Sequence, residues 1–317
     1  MWSWLQRLRS AASEEVVEAE SAALPSELLR QVRRLEVRSK RQVRDLLAGQ
    51  YASVFRGSGL QFEEVREYLP GDDVRFIDWN VTARLGLPYV KRYREERERT
   101  LLLVVDISAS EGFGTGGHTK WERSLEVAAL IGLSAVLNQD KVGLITFASD
   151  VERIVPPRKG MPHVLRLLRD LMWYRPTGRG TNLAAALRRV RRLARRQAIV
   201  FLISDFCSSG YDRDFKIVAK HHDLVAICVF DERELRVPRN IGILPIRDPE
   251  TGHTLVLNTH RRADRERMEQ QRRAQMERLR QLCRACNVDL IELSTDTQPV
   301  HALLRFFRGR EKRLAHG

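Results

Sequence analysis

Oxygen-bearing side chains follow two strongly apolar stretches of this 317-residue sequence. The stretches lie at 101–105 and 199–203. The polar residues that come directly after them are Asp106, Ser108, Ser110 and Asp205. Ligands of parallel sheets bind where loops leave the carboxyl ends of the strands. If the two stretches are neighbouring strands, we expect the two carboxylates and the hydroxyls to converge at one edge of a sheet.

A fifth oxygen-bearing residue, Thr181, lies in the segment TGRGTN at 177–182. Its two glycines let the backbone approach a bound group closely before the next helix begins. Carboxylate, hydroxyl and water oxygens together suit a hard divalent cation, so we expect Mg²⁺ or Mn²⁺. With one aspartate, Asp106, bound directly to it, such an ion keeps one positive charge. It therefore favours an Asp or Glu side chain of a partner.

Each of these residues also has an ordinary structural interpretation. Ser108 or Ser110 can cap a turn, and Asp205 can cap the turn that follows its strand. Thr181 can be the N-cap of a helix that begins at Leu183, since threonine is a favoured cap residue. The three motifs together are more specific than any one of them. D-x-S-x-S follows one expected strand, Asp205 follows another, and Thr181 precedes an expected helix.

From residue 100 onward, apolar strands alternate with helical patterns. The expected strands lie at 101–105, 142–147, 151–155, 199–203, 224–230 and 288–293. The expected helices lie at 121–137, 164–173, 183–193, 215–220, 261–286 and 300–307. Continuous apolar strands are typical of parallel sheets that are buried on both faces. The pattern predicts an α/β fold with a doubly wound, mostly parallel sheet.

Smaller elements flank this core. An amphipathic helix is expected from residue 25 to Gly49, which can stop it. Four further segments are typical of strands, and they lie at 60–68, 88–95, 241–247 and 254–258. The last two surround a turn signal and predict a β-hairpin, which we expect to pair with the first two in a small antiparallel sheet.

The chain is therefore divided into five parts. These are an N-terminal tail and helix at 1–49, a β segment at 50–99, the α/β core at 100–232, the hairpin at 233–259, and a C-terminal helix, last core strand and last helix at 260–317.

Composition indicates a globular chain with excess positive charge. The apolar fraction is 43% and the net charge is +14. Such a charge favours acidic partners, so nucleic-acid binding is an alternative function. It would use arginine-rich helices at 30–48, 188–196 and 261–284. Acidic residues are interspersed in the first and third of these helices, and no recognition module is visible, which argues against nucleic acid.

The four cysteines are too few for a disulfide scaffold and suit a reducing compartment. Cys283 and Cys286 form a C-x-x-C pair at the end of a helical pattern, and no second pair completes a zinc site. We expect them on a buried helix face, with metal or redox chemistry as the alternative.

The N-terminus carries Trp2, Trp4 and Leu5 beside arginines, a composition that can touch a membrane surface. No apolar core of a signal peptide follows it. The longest apolar stretch, at 128–137, is far shorter than the ~20 residues that span a bilayer. We expect a cytoplasmic protein, with surface contact between the N-terminus and a membrane as an option.

The motifs DISAS, GRGTN and ISDF, in this order, resemble the metal-ion-dependent adhesion site of von Willebrand factor type A domains. Residues 100–232, with the strand at 288–293, would form that domain. The block SGLQFEEVREYLPGDDVRFIDWNVTARLGLPYVKRYREE is similar to the segment that precedes it in the bacterial family called domain of unknown function 58. The resemblance implies a metal site, and the ligands that it implies are Asp106, Ser108, Ser110, Thr181 and Asp205.

The family resemblance also implies a function. Its members are cytoplasmic or membrane-attached, are often encoded beside MoxR-type AAA+ ATPases, and are proposed to work with them in chaperone-like assembly or maturation. We accordingly expect a non-enzymatic, metal-dependent interaction module whose partners are such an ATPase and an unknown client.

A metal-dependent phosphohydrolase is a further alternative. An enzyme of that kind usually needs a nucleophile or a positioned base beside the metal. Ser108 stands where a second aspartate would supply it, and no histidine falls in the motif loops. The sequence therefore favours a binding protein over an enzyme.

The block GDDVRFIDW at 71–79 has two interpretations. In the structural one, Asp72 or Asp73 caps a turn. The residues that would supply packing are Val74, Ile77 and Trp79, and those that would pair with nearby acids are Arg75 and Arg84. In the other interpretation, the block is a surface for a partner.

Overall fold

A computed structural model of the chain describes residues 37, 39–43, 47–55, 60–95, 99–115, 117–173, 180–239, 242–247 and 254–316. The strands are β1 (Leu60–Glu67), β2 (Tyr89–Glu95), β3 (Thr100–Asp106), β4 (Lys141–Phe147), β5 (Val151–Arg158), β6 (Ile199–Ser204), β7 (Asp223–Phe230), β8 (Ile243–Arg247), β9 (Thr254–Asn258) and β10 (Asp289–Ser294). The α-helices are α1 (Ala48–Val54), α2 (Trp79–Leu85), α3 (Lys120–Leu137), α4 (Met161–Trp173), α5 (Leu183–Leu193), α6 (Asp212–His221), α7 (Glu232–Leu235), α8 (Arg262–Ala285) and α9 (Pro299–His316). Short 3-10 helices lie at Val74–Phe76 and Ala109–Gly112.

The central sheet has the strand order β10–β7–β6–β3–β4–β5. The strands from β10 to β4 are parallel, and β5 pairs antiparallel with β4 at one edge. All of β6 is buried, as its continuous apolar sequence requires. The predicted α/β fold with a mostly parallel sheet is confirmed.

Two hydrophobic clusters cover the two faces of this sheet. Side chains alternate along β3, so that Leu103 belongs to one cluster and Leu102 to the other. The first cluster includes residues of α1, α3, α4 and α9, and the second includes residues of α5, α6 and α8. The sheet is therefore covered by helices on both faces, as the alternation of strands and helices predicted. Cys283 is buried in the second cluster on α8, the position expected for it.

The N-terminal helix differs from its prediction, because α1 runs through Gly49 to Val54. Packing outweighs the helix-breaking tendency of the glycine. Tyr51 donates a hydrogen bond to Asp140 Oδ2 at 2.8 Å, and its ring packs edge-on against Phe307 of α9. The expected start of this helix near residue 25 lies outside the described residues.

The predicted pairing of the hairpin with the earlier strands is wrong. Within the described ranges, β1 pairs with β2 and β8 pairs with β9, in two separate two-stranded sheets. Two physical features account for this. The segment at Ile77 bridges Val90 of β2, and Pro245 in β8 has no N–H group to donate to another strand. The turn between β8 and β9 lies outside the described residues.

The acidic residues of the 71–79 block cap turns, as expected. Asp72 accepts a hydrogen bond from the Leu69 backbone N–H at 2.9 Å and pairs with Arg66 at 2.7 Å. Asp73 accepts the backbone N–H of Arg75 at 3.0 Å and forms an ion pair with its guanidinium. These contacts hold the turns of the block in shape.

The expected packing role of Val74 and Trp79 is wrong. Their exposed fractions are 61% and 69%, whereas Ile77 is half-buried. A cap explains why Trp79 faces outward, because Asp78 starts α2 by accepting the N–H groups of Asn80 and Val81. Other exposed apolar side chains of this region are Leu69, Phe76, Leu85 and Leu87. We call this set, with Val74 and Trp79, the apolar surface of the 69–87 region.

Among the described residues, none of the helices combines the length and the apolar character that crossing a bilayer requires.

Candidate metal centre at the carboxyl edge of the sheet

The register of two parallel strands brings the first carboxylate to its neighbours. Val105 of β3 aligns with Ile203 of β6, so Asp106 and Ser204 stand side by side at the ends of these strands. Ser204 Oγ donates a hydrogen bond of 2.6 Å to Asp106 Oδ2. Asp205 comes one residue later, and both aspartates are fully buried.

The serines form a tight loop around Asp106. The Ser108 backbone N–H donates to Asp106 Oδ1 at 2.9 Å, and the hydroxyl oxygens of Ser108 and Ser110 lie 3.1 Å apart. Both serines are buried, and a 3-10 helix begins directly after Ser108. The D-x-S-x-S spacing thus places two neutral oxygens beside one carboxylate.

Thr181 lies at a neighbouring position of the same edge. It is not the N-cap of α5, because Asn182 has this role and accepts the Ala185 N–H at 3.0 Å. The Asn182 N–H in turn donates to Ala148 O at 2.7 Å, which ties the loop to the end of β4. Thr181 lines a cavity of about 440 Å³ together with Cys207 and other residues of the loop after β6.

Sequence reasoning missed a third carboxylate, Glu111. Its carboxylate and those of Asp106 and Asp205 have oxygens that all lie within 4.8 Å of one another. We call these three groups the carboxylate cluster. Glu111 is 1% exposed, and its Oε2 accepts a hydrogen bond from Ser124 Oγ at 3.0 Å. Its Oε1 is buried and has no hydrogen-bond partner within the part of the chain that the structure describes.

Sequence reasoning also missed the ammonium of Lys120. Its Nζ lies 2.7 Å from Asp205 Oδ2 and 2.9 Å from Glu234 Oε1. The side chain of Lys120 is 2% exposed. On the far side of Asp205, Arg272 Nη1 donates to the backbone oxygen of Asp205 at 3.1 Å. Arg272 Nε also lies 3.1 Å from Glu234 Oε2.

One sequence signal points to Lys120 in retrospect. Thr119 and Glu122 form a capping box at the start of α3, with reciprocal hydrogen bonds between side chains and backbone. The motif fixes Lys120 as the first residue of the helix, close to the carboxyl edge of the sheet. Glu111 follows Ser110 without any such motif, so the sequence offers no comparable signal for it.

The negative charges of the ionised carboxylate cluster repel one another unless a cation compensates them. Burial, and then repulsion from Asp205, raises the pKa of Asp106 to about 7. Burial and both aspartates raise the pKa of Glu111 well above its usual value. Burial also acts to raise the pKa of Asp205, but Lys120 and Arg272 outweigh it and lower that pKa to about 2. Lys120 therefore neutralises one member of the cluster, and the other two remain uncompensated.

Another buried carboxylate at this edge of the sheet has hydrogen-bond donors for both of its oxygens. Asp231, at the end of β7, accepts hydrogen bonds from the N–H and hydroxyl of Thr115, the hydroxyl of Thr295 and the N–H of Arg233. Although burial acts to raise the pKa of Asp231, these hydrogen bonds lower it. Asp231 is therefore satisfied by the chain itself, whereas Glu111 keeps one buried oxygen without a hydrogen-bond partner among the described residues.

The donor set fits a hard divalent cation. Every group that converges is an oxygen, and the unpartnered Glu111 Oε1 is the buried atom that a cation would satisfy. Lys120 and the Cys207 N–H each take one oxygen of Asp205, but a carboxylate oxygen accepts more than one partner. A cation at this edge is therefore compatible with the Lys120 ion pair.

Comparisons with known proteins agree on a family. The family described as "Protein of unknown function DUF58" matches residues 64–278. The uncharacterized protein Rv1480 of Mycobacterium tuberculosis is 32% identical over 286 residues, which are 89% of each chain. These matches cover the α/β core and most of α8.

Solved structures are similar at a greater distance. BatB from Bacteroides thetaiotaomicron is 16% identical with a TM-score of 0.43, over 68% of this chain and 99% of that one. The SpRpn10 VWA domain is 12% identical with a TM-score of 0.40, over 65% and 93% of the two chains. Likenesses this distant carry no information about the site. The family model matches residues 64–278, and the 32% identity to Rv1480 extends over 89% of each chain. This chain is therefore a member of the DUF58 family.

Proposed function

We propose that the chain is a non-enzymatic interaction module that binds a partner through one divalent cation, Mg²⁺ or Mn²⁺. The residues that would hold the cation are Asp106, Ser108, Ser110, Thr181 and Asp205. The observation that carries the proposal is the carboxylate cluster, in which oxygens of three buried carboxylates lie within 4.8 Å of one another and Lys120 pairs with one of the three, Asp205.

The charge balance of the site supports a divalent ion. When ionised, the carboxylate cluster holds three negative charges against the one positive charge of Lys120. The neighbouring Glu234 and Arg272 form an ion pair and cancel each other. Two negative charges remain in a buried environment, and one divalent cation balances them.

A bound cation would supply an electrophilic anchor for a carboxylate of the partner. The serine and threonine hydroxyls are neutral ligands, so a divalent ion that has Asp106 as its one directly bound, uncompensated carboxylate keeps one positive charge for an acidic side chain. The cavity beside Thr181 gives an approach to this edge of the sheet. We propose that the partner is a MoxR-type AAA+ ATPase and that the pair acts on a client protein in chaperone-like assembly or maturation.

The experiment is capture of a MoxR-type AAA+ ATPase from the same organism by the full chain, in Mg²⁺ and in EDTA. We expect the wild type to retain the ATPase in Mg²⁺ and to lose it in EDTA. Asp106→Ala should lose it in both, because it removes the charge that anchors the ion. Asp150→Ala is the matched control, since it removes an exposed carboxylate from the loop after β4, at the same edge.

Equal retention by the wild type and Asp106→Ala in both buffers would show that the ion does not mediate this contact. The arginine-rich helices would then be the better candidate surface. Retention on DNA or RNA that falls steeply with salt would favour the alternative of nucleic-acid binding.

A further inference from the structure

The unpartnered oxygen of Glu111 distinguishes this site from an ordinary acidic cluster. Clusters of acids occur without ligands, but their buried oxygens then find hydrogen-bond donors, as those of Asp231 do. Glu111 is a member of the carboxylate cluster, and its buried Oε1 has no hydrogen-bond donor among the described residues. A buried oxygen left unsatisfied carries the desolvation cost of the group without the return of a hydrogen bond.

The rest of the Glu111 side chain is held in place. Ser124 Oγ, on α3 and fully buried, donates to Oε2 at 3.0 Å. One oxygen of Glu111 is thus held by α3, whereas Oε1, also buried, has no hydrogen-bond partner in the described part of the chain. Carboxylates that bind metal ions are commonly oriented by a hydrogen bond of this kind to the second oxygen.

We infer that Glu111 is a ligand of the cation at this site and that it competes there with the acidic side chain of a partner. The inference rests on the proposed function. It adds a residue outside the D-x-S-x-S, Thr and Asp motifs. It also adds a form of regulation, because the chain carries its own substitute for the partner's carboxylate.

The charge of the ion explains the competition. Asp106 and Glu111 together neutralise a divalent ion, so a third carboxylate from outside gains little electrostatic energy. If Glu111 is neutral, one positive charge remains for an external acid. Loss of the Glu111 charge should therefore weaken binding of the ion and strengthen binding of an external carboxylate to the ion-loaded protein.

The test is titration of the full chain with Mn²⁺, followed by acetate at saturating Mn²⁺, with water proton relaxation as the readout. We expect Glu111→Gln to bind Mn²⁺ at least about tenfold more weakly than the wild type, as losses of supporting ligands do. At saturating Mn²⁺, acetate should displace Mn²⁺-bound water from Glu111→Gln at lower concentration than from the wild type.

Asp150→Asn is the matched control. It removes an exposed carboxylate at the same edge of the sheet that lies outside the carboxylate cluster, so the affinity for Mn²⁺ should change less than threefold. Ser124→Ala is a second probe that keeps the Glu111 charge. It should weaken Mn²⁺ binding in the same direction as Glu111→Gln and by a smaller factor.

The outcomes separate the two proposals. Wild-type affinity for Mn²⁺ in both Glu111→Gln and Ser124→Ala would overturn the inference and leave the metal site standing. An equal loss in Glu111→Gln and Asp150→Asn would also overturn it, because the effect would then be one of general charge. Failure of the wild type to bind Mn²⁺ would overturn the proposed function, and the inference with it.

Discussion

Lys120 and Asp205 form a buried ion pair, with 2.7 Å between Nζ and Oδ2 and at most 2% of either side chain exposed. Lys120 is the first residue of α3, whereas Asp205 follows β6, so the pair joins a helix to the central sheet. A buried pair of this kind adds little net stability when intact, but removal of one partner leaves a charge without compensation. Substitution of either residue alone should therefore destabilise the fold at this edge of the sheet.

Lys120→Met should lower the free energy of unfolding of the ion-free protein by about 3–5 kcal/mol, because Asp205 and Glu234 lose their shared ammonium. Urea unfolding in EDTA measures the loss. The exposed Lys216→Met on α6 is the control and should stay within about 0.5 kcal/mol of the wild type. Equal stabilities of the two variants would show that the ion pair is energetically neutral.

The pH dependence of stability should report on Asp106. The pKa of an aspartate in an unfolded chain is about 3.9, whereas the pKa of Asp106 in the ion-free fold is raised to about 7. Between these values the folded state binds more protons than the unfolded state, so the contribution of Asp106 to stability falls as pH rises. Asp106→Asn should abolish this contribution.

The measurement is the free energy of unfolding from about pH 5 to about pH 8, in EDTA, for the wild type and Asp106→Asn. The stability of the wild type relative to the variant should decrease with pH over this range. Saturating Mg²⁺ should reduce or reverse the decrease, because a bound cation favours the ionised carboxylate. A difference that does not change with pH would contradict the raised pKa.

Ion binding should rank the motif residues by charge. Asp106→Ala should abolish binding of Mg²⁺, whereas Ser108→Ala and Ser110→Ala should weaken it, since each removes one neutral oxygen. Isothermal titration calorimetry measures the affinities. The variants should remain folded, because Asp106 is the last residue of β3, the serines follow it, and none of the three belongs to the two hydrophobic clusters. A serine variant that loses more affinity than Asp106→Ala would contradict this ranking.

Docking of the N-terminal helix should be worth several kcal/mol. The Phe55 ring lies 5.9 Å from that of Phe201 and 6.1 Å from that of Phe307, and Arg310 covers its face at 4.8 Å. Phe55→Ala should cost about 3–5 kcal/mol in thermal or urea unfolding. The exposed Leu314→Ala on α9 should cost less than about 0.5 kcal/mol. A small effect of Phe55→Ala would mean that this helix is dispensable for stability.

The apolar surface of the 69–87 region should contribute to partner binding and not to stability. Trp79 is 69% exposed, and exposed apolar patches commonly mark interaction sites. Trp79→Ala should change the free energy of unfolding by less than about 0.5 kcal/mol. In the capture experiment, it should reduce retention of the ATPase. Unchanged retention would assign this surface to another partner or to none.

The strands of the core could be predicted because each of them carries its own signal. The run LLLVV at 101–105 is apolar on both faces, which in a chain of alternating helices leaves little choice but a buried parallel strand. The carboxyl ends of such strands share an edge, so the approach of Asp106 to Asp205 followed from topology. The pairing of the hairpins depends on contacts far apart in sequence, and no local pattern encoded it.

The charged members of the site were harder to predict. Burial of Lys120 and Glu111 depends on where α3 and the 3-10 helix at 109–112 meet the sheet. Charged residues are usually exposed, so a local pattern does not indicate their burial. Helix termination at Gly49 was also misjudged. An isolated glycine lowers helix propensity by about 1 kcal/mol, which the burial of Tyr51 and Leu47 outweighs.

Ser204 and Asp106 are 98 positions apart in the chain, yet their hydrogen bond requires one alignment of β6 with β3. A slip of one residue in either strand would turn one of these side chains to the opposite face of the sheet. An ion at the proposed site would consequently bind the chains in which β3 and β6 are correctly paired, since slipped or unfolded chains do not bring the same ligands together. By mass action, such an ion enriches the correctly assembled sheet over its competitors. Free Mg²⁺ would then serve as a folding cofactor for the chain itself, before any partner is met.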